Sequence, residues 1–254
     1  MTQLDSSSDR NVRPMPNLSS RVGHESDHAE ATREMFDRVA ARYDLLNTLM
    51  SAGVDVWWRN VAVKQLAHVP DGPLLDLCAG TLDVSATLEK SFPERDVTAV
   101  DFSSAMLEAG KKRGITKRTT TVVGDAMNLP LPDATFAGAL CSFGVRNIAD
   151  QGKALRELRR VLKPGGIAVV LELFRPETSF TKLFHGLYAN VVIPNMGRLV
   201  AGDRSSYEYL AKSMRGFMSR PEYEREMGLA GFVCVRGTNL MGGVAAIVRG
   251  ETPR

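Results

Sequence analysis

The chain has 254 residues, 44% hydrophobic and 24% charged, which allows a large core without disulfides or a structural metal. A net charge of +3 is too small to argue for nucleic acid as a partner. The three cysteines, at 78, 141 and 234, lie far apart in apolar runs, which predicts reduced, packed thiols. The histidines at 24, 28, 68 and 185 have no zinc-ligand spacing with them.

Residues 1–25 are polar and without period, and a disordered tail is expected. They hold no signal-peptide core, and no apolar run approaches the roughly 20 residues of a membrane span, so a cytoplasmic location is expected. From Asp27, which with Glu30 suits a capping box, a helical stripe runs through Met35, Val39, Tyr43, Leu46 and Leu49 to a break at Gly53. A second helix is expected from about Val56 through Trp57, Val61 and Leu66 to Pro70. Residues 26–71 thus read as N-terminal helices covering a site.

From Gly72, strands and helices alternate. Strands are expected at 74–77, 97–100, 120–123, 136–141 and 167–173, the last apolar nearly throughout, as for a strand covered on both faces. Helices are expected at 83–92, at 103–113 with Ser103 as N-cap, and at 150–162, with a turn at Lys163-Pro-Gly-Gly166. The basic stretch Lys111 to Arg118 reads as a solvated helix end, with attraction to an anionic membrane surface as the lesser reading. Residues 175–217, rich in Phe, Leu, Tyr, Val and Met, read as a helical cap inserted into a domain spanning 72–250. Two strand-like runs, 232–235 and 243–248, have only a short loop between them, which implies an antiparallel hairpin. The fold class is therefore α/β, a doubly wound, mostly parallel seven-stranded sheet ending in an antiparallel hairpin.

Such sheets bind ligands at the carboxyl ends of their strands, where strand order reverses. The first strand leads into Asp76-Leu-Cys-Ala-Gly-Thr-Leu-Asp83. Gly80 permits close backbone approach, and Thr81 and Asp83 can cap the next helix or reach a ligand. Asp101 ends the second strand, about 20 residues after the glycine loop, where an acid meets a ribose diol and would repel a 2′-phosphate. Asp125-Ala126 can bond an adenine edge, and Ser142 ends the fourth strand near the reacting group. Asp76, Gly80, Thr81, Asp101, Asp125, Ala126 and Ser142 together point to an adenosyl cofactor, S-adenosyl-L-methionine, and hence to a methyltransferase. Cys141-Ser-Phe-Gly144 lacks the Asn/Asp-Pro-Pro-aromatic stretch of DNA base N-methylation.

Four stretches resemble the ubiquinone/menaquinone biosynthesis C-methyltransferase family: Tyr43-Asp-Leu-Leu-Asn-Thr-Leu-Met-Ser51 with Gly53 and Trp58-Arg59; Cys141-Ser-Phe-Gly-Val-Arg-Asn147; Arg160 to Gly166 with Leu171-Glu172; and Pro194 to Ala201 with Ser206 to Leu210 and Gly242-Gly243. The resemblance spans about 35–250. It departs at Ala79-Gly-Thr-Leu82, where the family has Gly-Gly-Thr-Gly, and at Val54 to Trp58, which lacks the family's His. It implies that Thr81, Asp101, Asp125, Ala126 and Ser142 contact the cofactor, and that the nucleophile is a ring carbon of a polyprenyl quinol. A phenol of pKa about 10 needs help to lose its proton. Arg146 is the candidate cation beside that oxygen and Asn147 a ligand for a ring oxygen, though both also suit tying their loop to the next helix. Tyr43, Tyr188, Arg198 and Tyr207 are candidate substrate contacts that equally suit packing, as does Asp203; Tyr43 and Asp44 also suit closing over the cofactor, and His185 reads as a partly buried histidine rather than a base. The implied partners are the quinol, a peripheral membrane surface, and a second copy or a quinone-synthesis complex. A small-molecule methyltransferase of secondary metabolism and a non-catalytic cofactor-binding scaffold remain alternatives.

Overall fold

A computed structural model describes residues 53–176 and 216–254. The tail, the first helical stripe and most of the cap lie outside the described residues, and with them Tyr43, Asp44, His185, Tyr188, Arg198, Asp203 and Tyr207.

Helix α1 (Val54–Lys64) precedes the alternating part. It ends earlier than its apolar pattern suggests. The N–H groups of Gln65, Leu66 and Ala67 bond three residues back, which tightens the chain into turns. Leu66 and Val69 are still buried, so the pattern recorded burial rather than helix length.

The next elements are β1 (Leu74–Leu77), α2 (Asp83–Ser91), β2 (Val97–Asp101), α3 (Ser104–Arg113), β3 (Thr120–Val123), β4 (Phe136–Ser142), α4 (Gln151–Val161) and β5 (Leu162–Glu172). Then come α5 (Arg220–Leu229), β6 (Val233–Leu240) and β7 (Ala245–Glu251). Ser103 caps α3 by accepting from Met106 N–H, and Asp150 caps α4 by accepting from Lys153 N–H. The strand order is β3-β2-β1-β4-β5-β7-β6. β1 to β5 run parallel, while β7 lies antiparallel to both β5 and β6. The expected hairpin thus closes one edge, and the order reverses between β1 and β4.

β4 pairs Phe136 with Leu162 and Gly138 with Ile167, so Lys163 to Gly166 loop out of the ladder as a bulge. The expected turn is therefore an excursion within β5. The sheet is covered on both faces. One core joins β1, β4 and β5 to Leu155 and Leu158 of α4 and Tyr223 and Met227 of α5. The other joins them to Trp58 and Ala62 of α1 and Leu88 of α2.

The cysteine expectation needs correction at one position. All three thiols are free, but Cys234 is exposed on edge strand β6, in the irregular stretch between the pairings of Val233 and Arg236.

Helix α3 lies hard against the loop after β1. A Cβ on Gly110 would fall 2.6 Å from Leu82 Cγ and 2.7 Å from the Thr81 carbonyl carbon. Alanine favours a helix interior over glycine by about 1 kcal/mol. Here Gly110→Ala is expected to destabilise by about 1–3 kcal/mol through overpacking, read as a lower Tm. An unchanged Tm would mean that α3 can lift off the loop.

Candidate active site

The reversal point gathers the carboxyl ends of β1, β2 and β4. Asp101 organises them. Its Oδ2 accepts the Gly80 N–H at 2.8 Å and its Oδ1 accepts the Ser103 N–H at 2.9 Å. Ala79 N–H donates to Val100 O and Gly124 N–H to Asp101 O, both at 3.0 Å, so the loops after β1, β2 and β3 are stitched side by side. Gly80 has φ 52, in the left-handed region.

Asp76 sits beneath this loop and not on its surface. It is 1% exposed, and its Oδ2 accepts the Ser85 hydroxyl at 2.6 Å. The Ser85 backbone also bonds it, so a buried carboxylate supports the start of α2. Asp76, expected to contact the cofactor, thus also supports the loop from below. Its Oδ1 has no hydrogen-bond partner. Burial pushes its carboxyl up to about 7, against the lowering effect of the Ser85 bonds.

The helix cap differs from expectation. The N-cap of α2 is Leu82, with φ 70 and ψ 18 and no side-chain hydrogen bond. A leucine therefore holds the left-handed conformation that suits glycine. Its side chain is fully buried among Ala79, Ala99 and Leu107. Thr81 is buried, and its carbonyl accepts from Arg113 Nη1 at 3.1 Å. Asp83 pairs with Arg113 at 2.9 Å and lies 3.6 Å from Arg59, which also pairs with Asp55 at 2.8 Å. This chain of charges ties α1 and α3 to the first turn of α2.

Asp125 is exposed, its Oδ1 held by the Met127 N–H at 2.8 Å, and Ala126 is buried beside it. Ser142 ends β4 with its Oγ buried and without a hydrogen-bond partner. Beneath this floor the Cys78 thiol hydrogen-bonds Cys141, and that bond and burial push it well above the ordinary thiol range. A Cβ on Gly144 would lie 2.3 Å from Cys78 Cβ, so only glycine fits there.

Arg146 and Asn147 lie in a single turn, Val145–Asn147, after β4. Phe143, at φ 58, donates its N–H to Leu171 O and packs on Trp58 with ring centroids 6.1 Å apart. Arg146 Nη1 bonds both Phe143 O and Glu172 Oε1 at 2.7 Å. The arginine is thus held in a buried ion pair. Asn147 N–H bonds Gly144 O at 3.1 Å.

These residues fit an adenosyl ligand: a left-handed glycine loop, a carboxylate at the end of β2, and two buried polar atoms, Asp76 Oδ1 and Ser142 Oγ, without partners. The profile of the ubiE/COQ5 methyltransferase family matches residues 24–252. The chain belongs to that family. Among relatives, the ubiquinone/menaquinone biosynthesis C-methyltransferase UbiE of Caulobacter vibrioides is 39% identical over 249 residues, covering 93% of this chain and 99% of its own. The demethylmenaquinone methyltransferase of Desulfitobacterium hafniense is 37% identical, covering 90% and 92%. Among solved structures, a SAM-dependent methyltransferase of Thermotoga maritima superposes with a TM-score of 0.63 at 22% identity, covering 86% of this chain and 99% of that one. A phosphoethanolamine N-methyltransferase of Haemonchus contortus in complex with S-adenosyl-L-methionine gives 0.58 at 15% identity, covering 78% and 53%. These two show the methyltransferase fold.

Sequence reasoning in this ubiE/COQ5 chain missed α5, although Ser219 and Glu222 with Pro221 between them form a capping signature. Glu222 accepts the Ser219 N–H at 2.7 Å. It also assigned no role to Glu172, a lone charge in an apolar strand, which by itself demands a cation.

Two outcomes follow. Folded Asp76 keeps its proton to about pH 7, whereas the unfolded carboxyl, near 3.8, has lost it. Its contribution to stability is therefore full below about pH 4 and is lost as pH rises to 7. Asp76→Asn is expected to remove that slope, measured as the difference between wild-type and variant urea unfolding free energies from pH 4 to 7.5. Leu82→Gly relieves about 1–2 kcal/mol of backbone strain but removes a buried leucine worth about 3–5 kcal/mol. It is expected to lower stability by about 1–4 kcal/mol in denaturant titration; a more stable variant would show that strain outweighs packing.

Proposed function

We propose that this chain transfers a methyl group from S-adenosyl-L-methionine to a ring carbon of a polyprenyl quinol. One observation carries the reading: Asp101 bridges the glycine loop and the start of α3, and Arg146 is fixed at the adjoining end of β4. The names of the Caulobacter and Desulfitobacterium relatives support the quinol.

Asp101 Oδ2 accepts the Gly80 N–H and Oδ1 the Ser103 N–H, and a carboxylate so placed at the end of β2 suits a ribose diol. Asp125 and the Ala126 N–H suit the adenine edge, and Gly80, Thr81 and Ser142 Oγ suit the amino-acid end. When bound, S-adenosyl-L-methionine supplies the electrophilic methyl. The protein's work is to align a nucleophile and exclude water. Arg146 stabilises the quinol as its phenolate, and Asn147 binds a ring oxygen. Arginine is too basic to accept the proton, which leaves to water.

Tyr43, Tyr188, Arg198 and Tyr207, which lie outside the described residues, are the candidate substrate contacts in this reading. A polyprenyl tail would bring the protein to a membrane surface. Among the described residues no helix is long and apolar enough to cross a membrane. Val56 and Trp57 on α1 and Met241 in the β6–β7 turn expose apolar surface at the edge that bears the site, which supports peripheral contact.

Calorimetry should give one cofactor site per chain. Asp101→Ala is expected to weaken binding roughly 100-fold, the scale of charged hydrogen bonds lost from a buried site. No binding by the wild type at high cofactor concentration would sink the methyl-donor assignment. Accumulation of demethylated quinol in cells lacking the protein is the expected counterpart, and an unchanged quinone profile would reject the substrate.

A further inference from the structure

Glu172 ends β5, fully buried, between Leu171 and Leu173. Its Oε1 accepts from Arg146 Nη1 at 2.7 Å and from the Leu173 N–H at 2.8 Å, and its Oε2 lies 3.4 Å from the Arg146 N–H. The Arg146 side chain is 6% exposed. Leu171 pairs with Ser142, so this ion pair stands beside the inner wall of the site.

Stability does not call for charge here. Taking a carboxylate and a guanidinium out of water costs free energy that their attraction repays only in good geometry, and apolar residues of the same volume often do as well. The geometry does achieve something an apolar pair cannot. With Nη1 bonded to both Phe143 O and Glu172 Oε1, two N–H directions are fixed, and with them the plane of the guanidinium. The anchors are themselves tied down: Phe143 N–H bonds Leu171 O and its ring packs on Trp58, and Glu172 accepts the Leu173 N–H.

We propose that Glu172 is the positioning residue of the methyl transfer, holding Arg146 in the one orientation that meets the quinol oxygen. The proposal rests on the quinol reading above. Neither residue changes protonation during turnover: the S–CH3 bond breaks as the ring C–CH3 bond forms, the ring C–H proton is then lost, the oxygen regains its proton, and the one net proton goes to water. Glu172 lowers the net charge near the phenolate, so its value lies in orientation, paid in advance of substrate arrival.

The test compares Glu172→Gln, Glu172→Asp, Arg146→Ala and the double variant Glu172→Gln/Arg146→Ala. Each is assayed with a short-chain water-soluble quinol, alongside cofactor Kd by calorimetry and Tm. Glu172→Gln is expected to lower kcat by about 100-fold, the scale of losing one transition-state donor, with cofactor Kd within about threefold of wild type. Glu172→Asp, which keeps the charge but withdraws it by one methylene, should recover part of that loss. In the Arg146→Ala background Glu172→Gln should cost less than about threefold more, because a residue acting only through Arg146 has nothing left to position. Wild-type kcat in Glu172→Gln, losses that multiply in the double variant, or cofactor affinity that falls in step with kcat would each overturn the proposal. If Glu172→Gln does not fold, Glu172→Asp decides: a kcat at least about tenfold lower at unchanged cofactor Kd is expected, and wild-type kcat overturns it. Wild-type protein that binds cofactor but methylates no quinol rejects the substrate reading itself, before any variant is compared.

Discussion

The site depends on one carboxylate. Asp101 ends β2 and accepts from two backbone N–H groups, one in the loop after β1 and one at the cap of α3. Without it, the glycine itself and the cap of α3 would lose the acceptor that they share. The bonds also satisfy donors that the loop cannot satisfy itself, since the N-cap of α2 brings no side-chain acceptor. Asp76 does the matching work from below through Ser85. Two acids on neighbouring strands thus clamp one loop from opposite sides, and Arg59 and Arg113 fasten its outer edge through Asp83.

The cost of this arrangement is visible in the backbone. Cys78, Leu82 and Phe143 all have positive φ, and all lie at the carboxyl ends of β1 and β4. Each is over-determined by its surroundings. Cys78 hydrogen-bonds Cys141 and packs on Gly144, Leu82 fills a small core of its own against α3, and Phe143 packs at a tilt on Trp58. Leu82 is the informative member. Where the resembled family has glycine, this chain holds a left-handed turn with a leucine and compensates by burying it. The altered loop is thus kept in place by packing, and it gives little support to a scaffold that has lost its chemistry.

Much of this was legible in the sequence. β1 to β5, α2 to α4 and the terminal hairpin follow from apolar runs, caps and the Gly-Pro punctuation, because strands covered on both faces and an amphipathic α4 leave strong periods. Asp101 was legible from its spacing to Gly80. What failed did so for physical reasons. The apolar pattern to Pro70 marked the burial of Leu66 and Val69 beyond the helix end, not helix length. The loop-supporting part of Asp76 was not legible either: Asp76 and Asp101 look alike in sequence, each an acid at a strand end, yet one lies under the loop and the other beside it. Only the fold distinguishes them, because depth depends on which helix crosses above. Glu172 was hidden by its context: read as part of an apolar run, it lost the one feature that mattered, a charge with nowhere to go.

That last residue changes how Arg146 is to be understood. A cation placed near a phenol can act by charge alone, in which case any mobile arginine would serve and a nearby carboxylate would only weaken it. Here the carboxylate is within hydrogen-bond distance and wholly buried. A charge-only role would make Glu172 a liability on two counts, desolvation and partial neutralisation of Arg146. An orientation role turns both into the expense of preorganisation, which is repaid when the reacting carbon and the methyl must meet in line within a few tenths of an ångström. The same logic runs through the site. Asp101 gives up part of its accepting capacity to hold a loop, and Leu82 accepts strain to keep it closed. Fixed direction is what the fold provides at this edge of the sheet, and the chemistry of the bound donor needs little else from it.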